Sequence, residues 1–303
     1  MQKGNESVID FPTFNFETEN GVYVASDVLV HNCHHWAANT FQVVSSMFSA
    51  KYRVGASADE RRKDKLDILV SDAFGPLVHK IKKSDLIGFG NLVPTKLEVV
   101  KTNYCDGIFI DSKLDKKEMG LDWVGMINRM VADDERNDII LQKIVQILET
   151  DKSARLLVLS ERVDVCYYYA EEINTQTNLV AGVMVGGLEN RAELEKTMAG
   201  LQTGEIRVGF GTSVADEGLD IPPLTHVLLT CPVYNHPKRM IQMIGRAARP
   251  WKGKKYATAI YFWDQDMFPV TLIDTSEDKI EQLQNKFLRK LKRSTDVCSI
   301  KVV

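Results

Sequence analysis

The sequence predicts an α/β fold in which parallel strands form a sheet with helices on both faces. Three observations favour this class. Continuous apolar runs such as residues 154–160 (ARLLVLS) are typical of strands that are buried on both faces. Amphipathic segments such as residues 190–204 lie between these runs and end at a glycine. Strands and helices alternate at the spacing of βαβ units, so residues 151–270 are predicted to form one complete domain.

The elements of this domain follow one another in a regular order. The same alternation continues through the whole predicted domain, so every strand can join one parallel sheet. The predicted strands are residues 154–160, 179–186, 206–213, 226–232 and 256–264, and the predicted helices are residues 161–173, 190–204 and 236–249, the last of which stops before Pro250.

Residues 33–93 are predicted to be the last part of another α/β domain. They contain a buried strand at residues 52–57 (YRVGAS), and then a helix that opens with acidic residues and ends at Gly75. Further strands are predicted at residues 75–81 and 95–104. A parallel sheet of one or two strands cannot bury both faces, so this part is expected to lack a partner segment.

The remaining segments lie outside the two predicted α/β domains. Residues 1–32 are rich in aromatic and β-branched side chains, and Asn-Gly at positions 20 and 21 favours a short β-hairpin. Residues 94–150 are predicted to be a linker followed by helices over 121–149. Residues 271–303 contain a basic amphipathic helix and a tail.

The composition excludes several classes of protein. Apolar residues make up 44% and charged residues 26%, as in ordinary globular proteins. The formal net charge is −3, so any contact with nucleic acid must come from local patches. No apolar run approaches the roughly 18 residues of a membrane span, and the N-terminus has no signal-peptide core. The five cysteines contain no CxxC pair, which favours a reducing compartment over a disulfide framework.

The segment QMIGRAARP carries the sharpest chemical signal. Arg246 and Arg249 are spaced to share one face of a helix, and Gly245 would allow another backbone to approach closely. Guanidinium groups clamp phosphate oxygens through paired hydrogen bonds, and an arginine offered to a nucleotide on another domain is an arginine finger. The alternative is a solvated basic helix face.

Two further segments point to a nucleotide cleft. TSVADEGLDIP, residues 212–222, follows a buried strand, where acidic residues beside a glycine can face a nucleotide. Its alternative is a turn with solvated charges at Asp216 and Glu217. GASAD precedes both segments, and its alternative is a strand with a capped helix.

In this order and spacing the three segments resemble motifs of superfamily 2 DEAD/DEAH-type helicases, nearest to phage DNA translocases and related repair and restriction helicases. The resemblance covers approximately residues 33–270. It implies two stacked RecA-like domains with ATP in the cleft and a nucleic-acid strand across both. In motif III the matched positions are Ser57 and Ala58, and Asp59 stands where the family has threonine. In motif V they are Thr212, Glu217, Gly218 and Asp220, and in motif VI they are Gln242, Gly245, Arg246 and Arg249.

The resemblance implies a role for each matched residue. Arg249 would be the arginine finger, Arg246 a second phosphate contact, and Thr212 a contact to the nucleic-acid backbone. The nucleotide cleft would be lined by Gln242, Glu217, Gly218 and Asp220, and hydrolysis would be coupled to movement through His35, Ser57 and Ala58. The implied cellular setting is the cytoplasm of a bacterium or phage-infected host.

Two parts of the motor are absent from the sequence. No G-x-x-x-x-G-K-S/T segment cradles phosphates. Motif II should supply Asp-Glu before CHH, but His31 and Asn32 stand there, so nothing holds Mg²⁺ or orients the attacking water. We therefore expect the chain alone to be inactive as an ATPase, with ATP and Mg²⁺ bound mainly by a missing N-terminal part.

His31, Asn32 and Cys33 form a set with its own chemistry. A thiol can attack an ester or thioester, an asparagine amide can attack its own carbonyl and cut the chain, and an imidazole can move the proton. GVYVASDVLVHN resembles the C-terminal splicing blocks of an intein, with Gly21 in place of the block histidine. Residues 1–32 therefore resemble the C-terminal fragment of a split intein.

This second resemblance implies protein trans-splicing. The partner would be a separate chain that carries the P-loop, ends in Asp-Glu and continues into an N-intein. Splicing would remove residues 1–32 and restore Asp-Glu-Cys-His-His. The product would be an ATP-dependent helicase or translocase acting on single- or double-stranded DNA, with no membrane partner.

Three alternatives remain open at this point. The cluster His31, Cys33, His34 and His35 could bind a metal, although closed zinc sites favour spaced pairs. The chain could instead be a degenerate helicase fragment that binds nucleic acid without catalysis, through residues 238–255 and the C-terminal helix. Finally, residues 1–32 could be an ordinary hairpin.

Overall fold

The computed structural model describes residues 22–25, 28–32, 52–56, 67–105, 123–212, 220–231, 244–266, 295 and 297–301. The chain divides into two compact units, Met1–Ile81 and Lys82–Val303. Within these described residues, every helix is too short or too polar to cross a membrane.

The first unit contains a small mixed sheet. Strands β1 (Val22–Ala25) and β2 (Val28–Asn32) pair in antiparallel fashion. This hairpin is connected through residues 26–27, whereas the Asn-Gly at positions 20 and 21, where the hairpin was predicted, precedes β1 and lies outside the described residues. Strand β3 (Tyr52–Ala56) runs parallel to β2, with Ala56 opposite Asn32. Helix α1 (Asp67–Phe74) follows and ends before Gly75, as predicted.

The strand predicted at residues 75–81 is wrong. Residues 75–82 are described and form no regular structure. Leu77, Val78 and Ile81 are 63%, 93% and 56% exposed. A β-strand requires a neighbouring strand for its backbone groups, and this segment has none within the described chain.

The second unit is built on a seven-stranded sheet in which every neighbouring pair is parallel. This confirms the predicted α/β class. The strands are β4 (Thr95–Cys105), β5 (Leu156–Leu159), β6 (Ala181–Met184), β7 (Val208–Gly211), β8 (His226–Leu229), β9 (Ala257–Asp266) and β10 (Val297–Lys301), and their order across the sheet is β10-β4-β9-β8-β5-β7-β6.

Two of these strands lie outside the domain boundaries predicted from the sequence. Strand β4 falls in the predicted linker 94–150, and β10 falls in the predicted tail 271–303, yet they pair with β9 and β4 respectively. Neighbours in this sheet come from distant parts of the chain. Alternation along the sequence therefore assigns β5 to β9 to the sheet, but it does not assign β4 and β10 to it.

Helices cover both faces of this sheet. They are α2 (Lys83–Gly88), α3 (Trp123–Val131), α4 (Asp134–Thr150), α5 (Val163–Gln176) and α6 (Arg191–Thr203). Strand β5 shows the two-sided burial directly. Leu156 and Val158 belong to the cluster that includes α4 and α5, whereas Leu157 and Leu159 belong to the cluster that includes Leu201 of α6. Alternate side chains of a buried strand point to opposite faces, so both layers are required.

Candidate functional site

An ion pair joins two of the residues selected from the sequence. Asp220 lies in the crossover from β7 to β8, and Arg249 follows a helical turn at residues 244–247. Arg249 Nη1 donates to Asp220 Oδ1. The side chains are 39% and 50% exposed respectively, so a ligand in solvent can reach both. The structure therefore brings together one residue of the predicted motif V and one of motif VI.

The helical turn is anchored by its apolar residues. Ile244 and Ala247 are buried in the core cluster that contains Leu201, and Ala248 is also buried. Arg246 and Arg249 are only partly buried, because burial of the apolar side places the basic residues toward the surface. The backbone N–H of Val93 donates to Ala248 O at 2.8 Å and holds the end of the turn.

Gly245 lies in this turn, and it was predicted to allow the close approach of another backbone. The glycine is exposed, and a Cβ placed on it would meet no atom of the described residues within 4 Å. The close approach therefore stays a prediction.

Lys254 holds the two sides of the ion pair together. Its Nζ donates to Pro222 O at 2.6 Å and to Leu224 O at 2.8 Å, both in the crossover that carries Asp220. Burial, followed by the nearby charge of Arg249, lowers the pKa of Lys254 to about 8. The loop after Arg249 and the crossover are thus fixed to each other by one ammonium group.

A buried polar network lies at the carboxyl ends of the strands, and sequence reasoning missed it. Arg136 of α4 and Asp264 of β9 are each 1% exposed at the side chain. Arg136 Nε donates to Asp264 Oδ1 at 2.7 Å, and Nη2 donates to Asp264 Oδ2 at 3.1 Å and to Thr230 O. Thr102 Oγ1 donates to Asp264 Oδ1 at 2.5 Å. The Asp264 carboxylate therefore joins β9 to β4 and α4, and Arg136 extends the network to Thr230 after β8.

The electrostatics of this network favour a charged pair. Burial alone would lower the pKa of Arg136, but the facing Asp264 carboxylate more than offsets it, and the pKa is raised. Arg136 Nη1 has no hydrogen-bond partner among the described atoms. The signal for this network in the sequence is weak: Arg136 lies three residues after Asp133. The Asp133 side chain caps α4 by accepting a hydrogen bond from Arg136 N at 2.8 Å.

The same edge presents residues that could contact a nucleic-acid strand. Arg162 follows β5, is partly buried, and donates from Nε to Asn128 Oδ1 at 2.7 Å. Thr212 follows β7 and is also partly buried. In open α/β sheets, ligands bind in the crevice outside the carboxyl ends of the strands. This position of Thr212 is compatible with its predicted contact to a phosphate backbone.

The remaining predicted residues are only partly described. His31 and Asn32 end β2, where Asn32 is the last residue of the strand. Within the described residues no cluster of three or more His, Cys, Asp or Glu could hold a metal ion. The predictions that lie outside the described residues concern Cys33, His35, Ser57, Ala58, Glu217, Gly218 and Gln242.

Comparison with known proteins indicates the class of protein that this chain resembles. Residues 139–250 match the family model described as helicase conserved C-terminal domain. The fold is shared with a fragment of an HsdR subunit of a type I restriction enzyme from Vibrio vulnificus, with a TM-score of 0.61 and 16% identity over 91% of this chain and 48% of that one. It is also shared with S. cerevisiae Dbp5 bound to RNA and ADP BeF3, with a TM-score of 0.56 and 12% identity over 91% and 59%.

The curated proteins that this chain resembles include a viral helicase and an archaeal DNA translocase. Helicase 22 of a Sulfolobus islandicus filamentous virus is 24% identical over 269 residues, which covers 86% of this chain and 46% of the relative. The DNA 3'-5' translocase XPB2 of Sulfurisphaera tokodaii is 23% identical over 244 residues, covering 71% and 54%. The chain spans about half the length of these relatives. Residues 139–250 are thus similar to a helicase C-terminal domain, and the α/β fold is that of the RecA-like structures named above.

Proposed function

We propose that this chain supplies the second motor domain of an ATP-dependent DNA helicase or translocase, which works in the cytoplasm of a bacterial or virus-infected cell. The observation that carries the proposal is the exposed Arg249, held beside Asp220 on a helicase C-terminal domain. ATP would enter between this surface and residues that the sequence of 303 residues does not contain. The chain therefore supplies one wall of the nucleotide site.

Arg249 acts as the arginine finger in this proposal. Its planar guanidinium can give up Asp220 and donate two parallel hydrogen bonds to the γ-phosphate, whose negative charge is redistributed during transfer. Arg246 makes the second phosphate contact, and Gln242, Glu217, Gly218 and Asp220 line the cleft. In this proposal Mg²⁺ would be bound mainly by the partner chain that carries the P-loop and the Asp-Glu of motif II.

Nucleic acid binds at the carboxyl edge of the sheet in this proposal. Thr212 contacts the backbone, and Arg162 adds a positive charge at the next strand end. A hydroxyl group and a guanidinium are both common partners of phosphate oxygens. Hydrolysis and strand movement are coupled through His35, Ser57 and Ala58.

The ATPase assignment is tested on the complete motor with Arg249→Lys and Arg249→Ala. The lysine keeps the charge but loses the paired hydrogen bonds, and we expect either variant to reduce kcat for ATP hydrolysis by a factor of about 10³ or more. Arg191→Lys, on the exposed face of α6, is the matched control and should leave kcat unchanged. Full activity of Arg249→Ala would remove the arginine-finger assignment.

We further propose that the motor is completed by splicing at the bond between Asn32 and Cys33. After an N-to-S or N-to-O acyl shift in the partner, the Cys33 thiol takes over the partner's acyl group as a thioester. The side-chain nitrogen of Asn32 then attacks its own main-chain carbonyl carbon, which closes a succinimide and breaks the bond to Cys33. His31 delivers the proton to the departing amine, which attacks the thioester and returns the thiol. Support comes from the intein-like sequence and from the β1–β2 hairpin that carries it.

Intact mass tests the splicing proposal. A product that contains the QMIGRAAR peptide, lacks residues 1–32 and is much heavier than 34.2 kDa is expected in the native host. Asn32→Ala and Cys33→Ala should each abolish that product. An unchanged chain of 34.2 kDa in the presence of its partner would exclude splicing.

One observation favours a second candidate, a non-catalytic nucleic-acid-binding module. Strand β2 pairs in parallel with β3 up to Asn32 and Ala56, so His31 and Asn32 are compatible with the small sheet as it stands. Such a module would bind DNA as the 303-residue chain and would be indifferent to Asn32→Ala. Measurement of DNA affinity and chain mass on the same sample separates the two candidates.

A further inference from the structure

Two segments of the second unit run side by side at the amino ends of β4 and β9. Residues 82–96 lead into β4, and residues 248–257 lead into β9. The backbone N–H of Val93 donates to Ala248 O at 2.8 Å, and the backbone N–H of Ala257 donates to Pro94 O at 3.0 Å. These two segments form one surface, which is called the basic–aromatic patch below.

The charge of this patch differs from that of the whole chain. Its two segments contain seven basic residues and one acidic residue, whereas the whole chain has a net charge of −3. Local clustering of this kind creates a positive potential that the average composition conceals. The patch therefore fits a polyanion.

The basic–aromatic patch also contains exposed aromatic side chains. Phe89, Trp251 and Tyr256 are 77%, 51% and 45% exposed. Lys96 Nζ lies 3.3 Å from the centre of the Tyr256 ring, a cation–π contact that orients both groups. Exposed aromatic rings interleaved with lysines match the way proteins hold single strands, in which bases stack on rings and phosphates meet ammonium groups.

The loop that carries Trp251 is held in one conformation. Lys254 Nζ is fixed by Pro222 O and Leu224 O, and Lys254 N donates to Trp251 O at 2.9 Å. Gly253 takes a φ of +81°, which lets the chain turn between the two lysines on either side of it. Lys254 thus serves as an internal support, and the exposed Lys252 and Lys255 remain for a ligand.

We propose that the basic–aromatic patch is a second binding site for single-stranded nucleic acid, with a base stacked on Trp251 and phosphates held by Lys252 and Lys255. The inference rests on the proposed function, because it assumes that the chain handles nucleic acid. The patch lies at the amino ends of the strands, opposite the carboxyl edge that carries Thr212. It would hold a strand that is entering or leaving the motor.

The test uses the 303-residue chain and a fluorescent single-stranded DNA titrated at several salt concentrations. Each phosphate contact to a single strand contributes about 0.7 to the slope of log K against log salt, so Lys252→Ala/Lys255→Ala should reduce the slope by about 1.4. Lys152→Ala/Lys196→Ala removes two exposed lysines outside the patch and should keep the wild-type slope. DNA should also quench the tryptophan fluorescence of the wild type more than that of Trp251→Phe, and Trp251→Ala should bind about tenfold more weakly.

The possible outcomes are separable. An unchanged slope in Lys252→Ala/Lys255→Ala, with binding weakened by Arg162→Ala, would overturn the patch and leave the proposed function standing. Absence of DNA binding by the wild-type 303-residue chain at low salt would also overturn the patch, and the ATPase test on the complete motor would still decide the proposed function. Quenching of Trp251 by ATP alone but not by DNA would assign the ring to the nucleotide and also overturn the proposal.

Discussion

The buried pair of Arg136 and Asp264 gives the sharpest prediction about this molecule. Asp264→Asn keeps the size of the side chain and removes its charge, which leaves the guanidinium in a site that is 1% exposed. Breaking one side of a buried ion pair typically costs about 3–5 kcal/mol, against a total stability of about 5–15 kcal/mol for a domain. At roughly 2–4 °C per kcal/mol for a domain of this size, the melting temperature should fall by about 6–20 °C.

The complementary change removes the other member of the pair. Arg136→Met leaves the Asp264 carboxylate buried without a cation, so it should also cost about 3–5 kcal/mol. The melting temperature of Arg136→Met should therefore fall by an amount similar to that of Asp264→Asn.

The double variant Arg136→Met/Asp264→Leu completes the cycle. It removes both charges and leaves only Thr102 and the Thr230 carbonyl with lost partners. Replacement of a buried pair by apolar groups is often close to neutral, so we expect the double variant to be more stable than either single variant. Urea unfolding followed by circular dichroism gives the free energies. Additive effects of the two single changes, or single effects below about 1 kcal/mol, would refute this account of the network.

Two further predictions concern His226 and Gly204, which are both partly buried. Burial, with Lys143 as a lesser cause, lowers the pKa of His226 to about 4, although the carboxylates of Asp151 and Glu98 act in the opposite direction. Because the unfolded pKa is about 6.5, about 3 kcal/mol of stability should be lost as the pH falls from about 6.5 to 4. His226→Gln should flatten that urea-unfolding profile, and His79→Gln, at an exposed position, should not. Gly204 ends α6 at a φ of +96°, and a Cβ there would clash with the Arg155 guanidinium, so Gly204→Ala should cost about 1–2 kcal/mol. Gly253→Ala, at a φ of +81° with no neighbour within 4 Å, isolates the backbone strain, and equal losses in the two variants would contradict the clash.

Periodicity in the sequence predicts strands β5 to β9 well, but it does not predict that β4 and β10 join the same sheet. Strands β5 to β9 and helix α6 have continuous apolar runs or a clear helical end at Gly204, because both faces of the sheet are covered. Strand β4 was also predicted as a strand, but its place in the sheet depends on pairing with β9 from residues 257–266. Such pairing over a long sequence separation leaves no local signal.

The candidate site shows the same division. Arg249 and Asp220 could be selected from their motifs, since spacing and residue type carry the chemistry. Arg136 and Asp264 could not, because a buried ion pair depends on two residues that are 128 positions apart. The basic–aromatic patch is similar: its two segments are ordinary lysine-containing stretches until the backbone bonds at Val93 and Ala257 join them.

The pair of Arg249 and Asp220 bears on how the motor would respond to nucleotide. Partly exposed ion pairs are worth only about 0–1 kcal/mol, so exchange of the Asp220 carboxylate for a phosphate is inexpensive. The position of the guanidinium is set by the buried Ile244 and Ala247 and by the bonds of Lys254 to the crossover. The ion pair can therefore be released without movement of the backbone that carries it. In the proposed motor, a nucleotide would therefore meet the Arg249 guanidinium already in position for binding. The affinity of the nucleotide for this side of the cleft would depend more on the bonds of Lys254 than on the strength of the ion pair between Arg249 and Asp220.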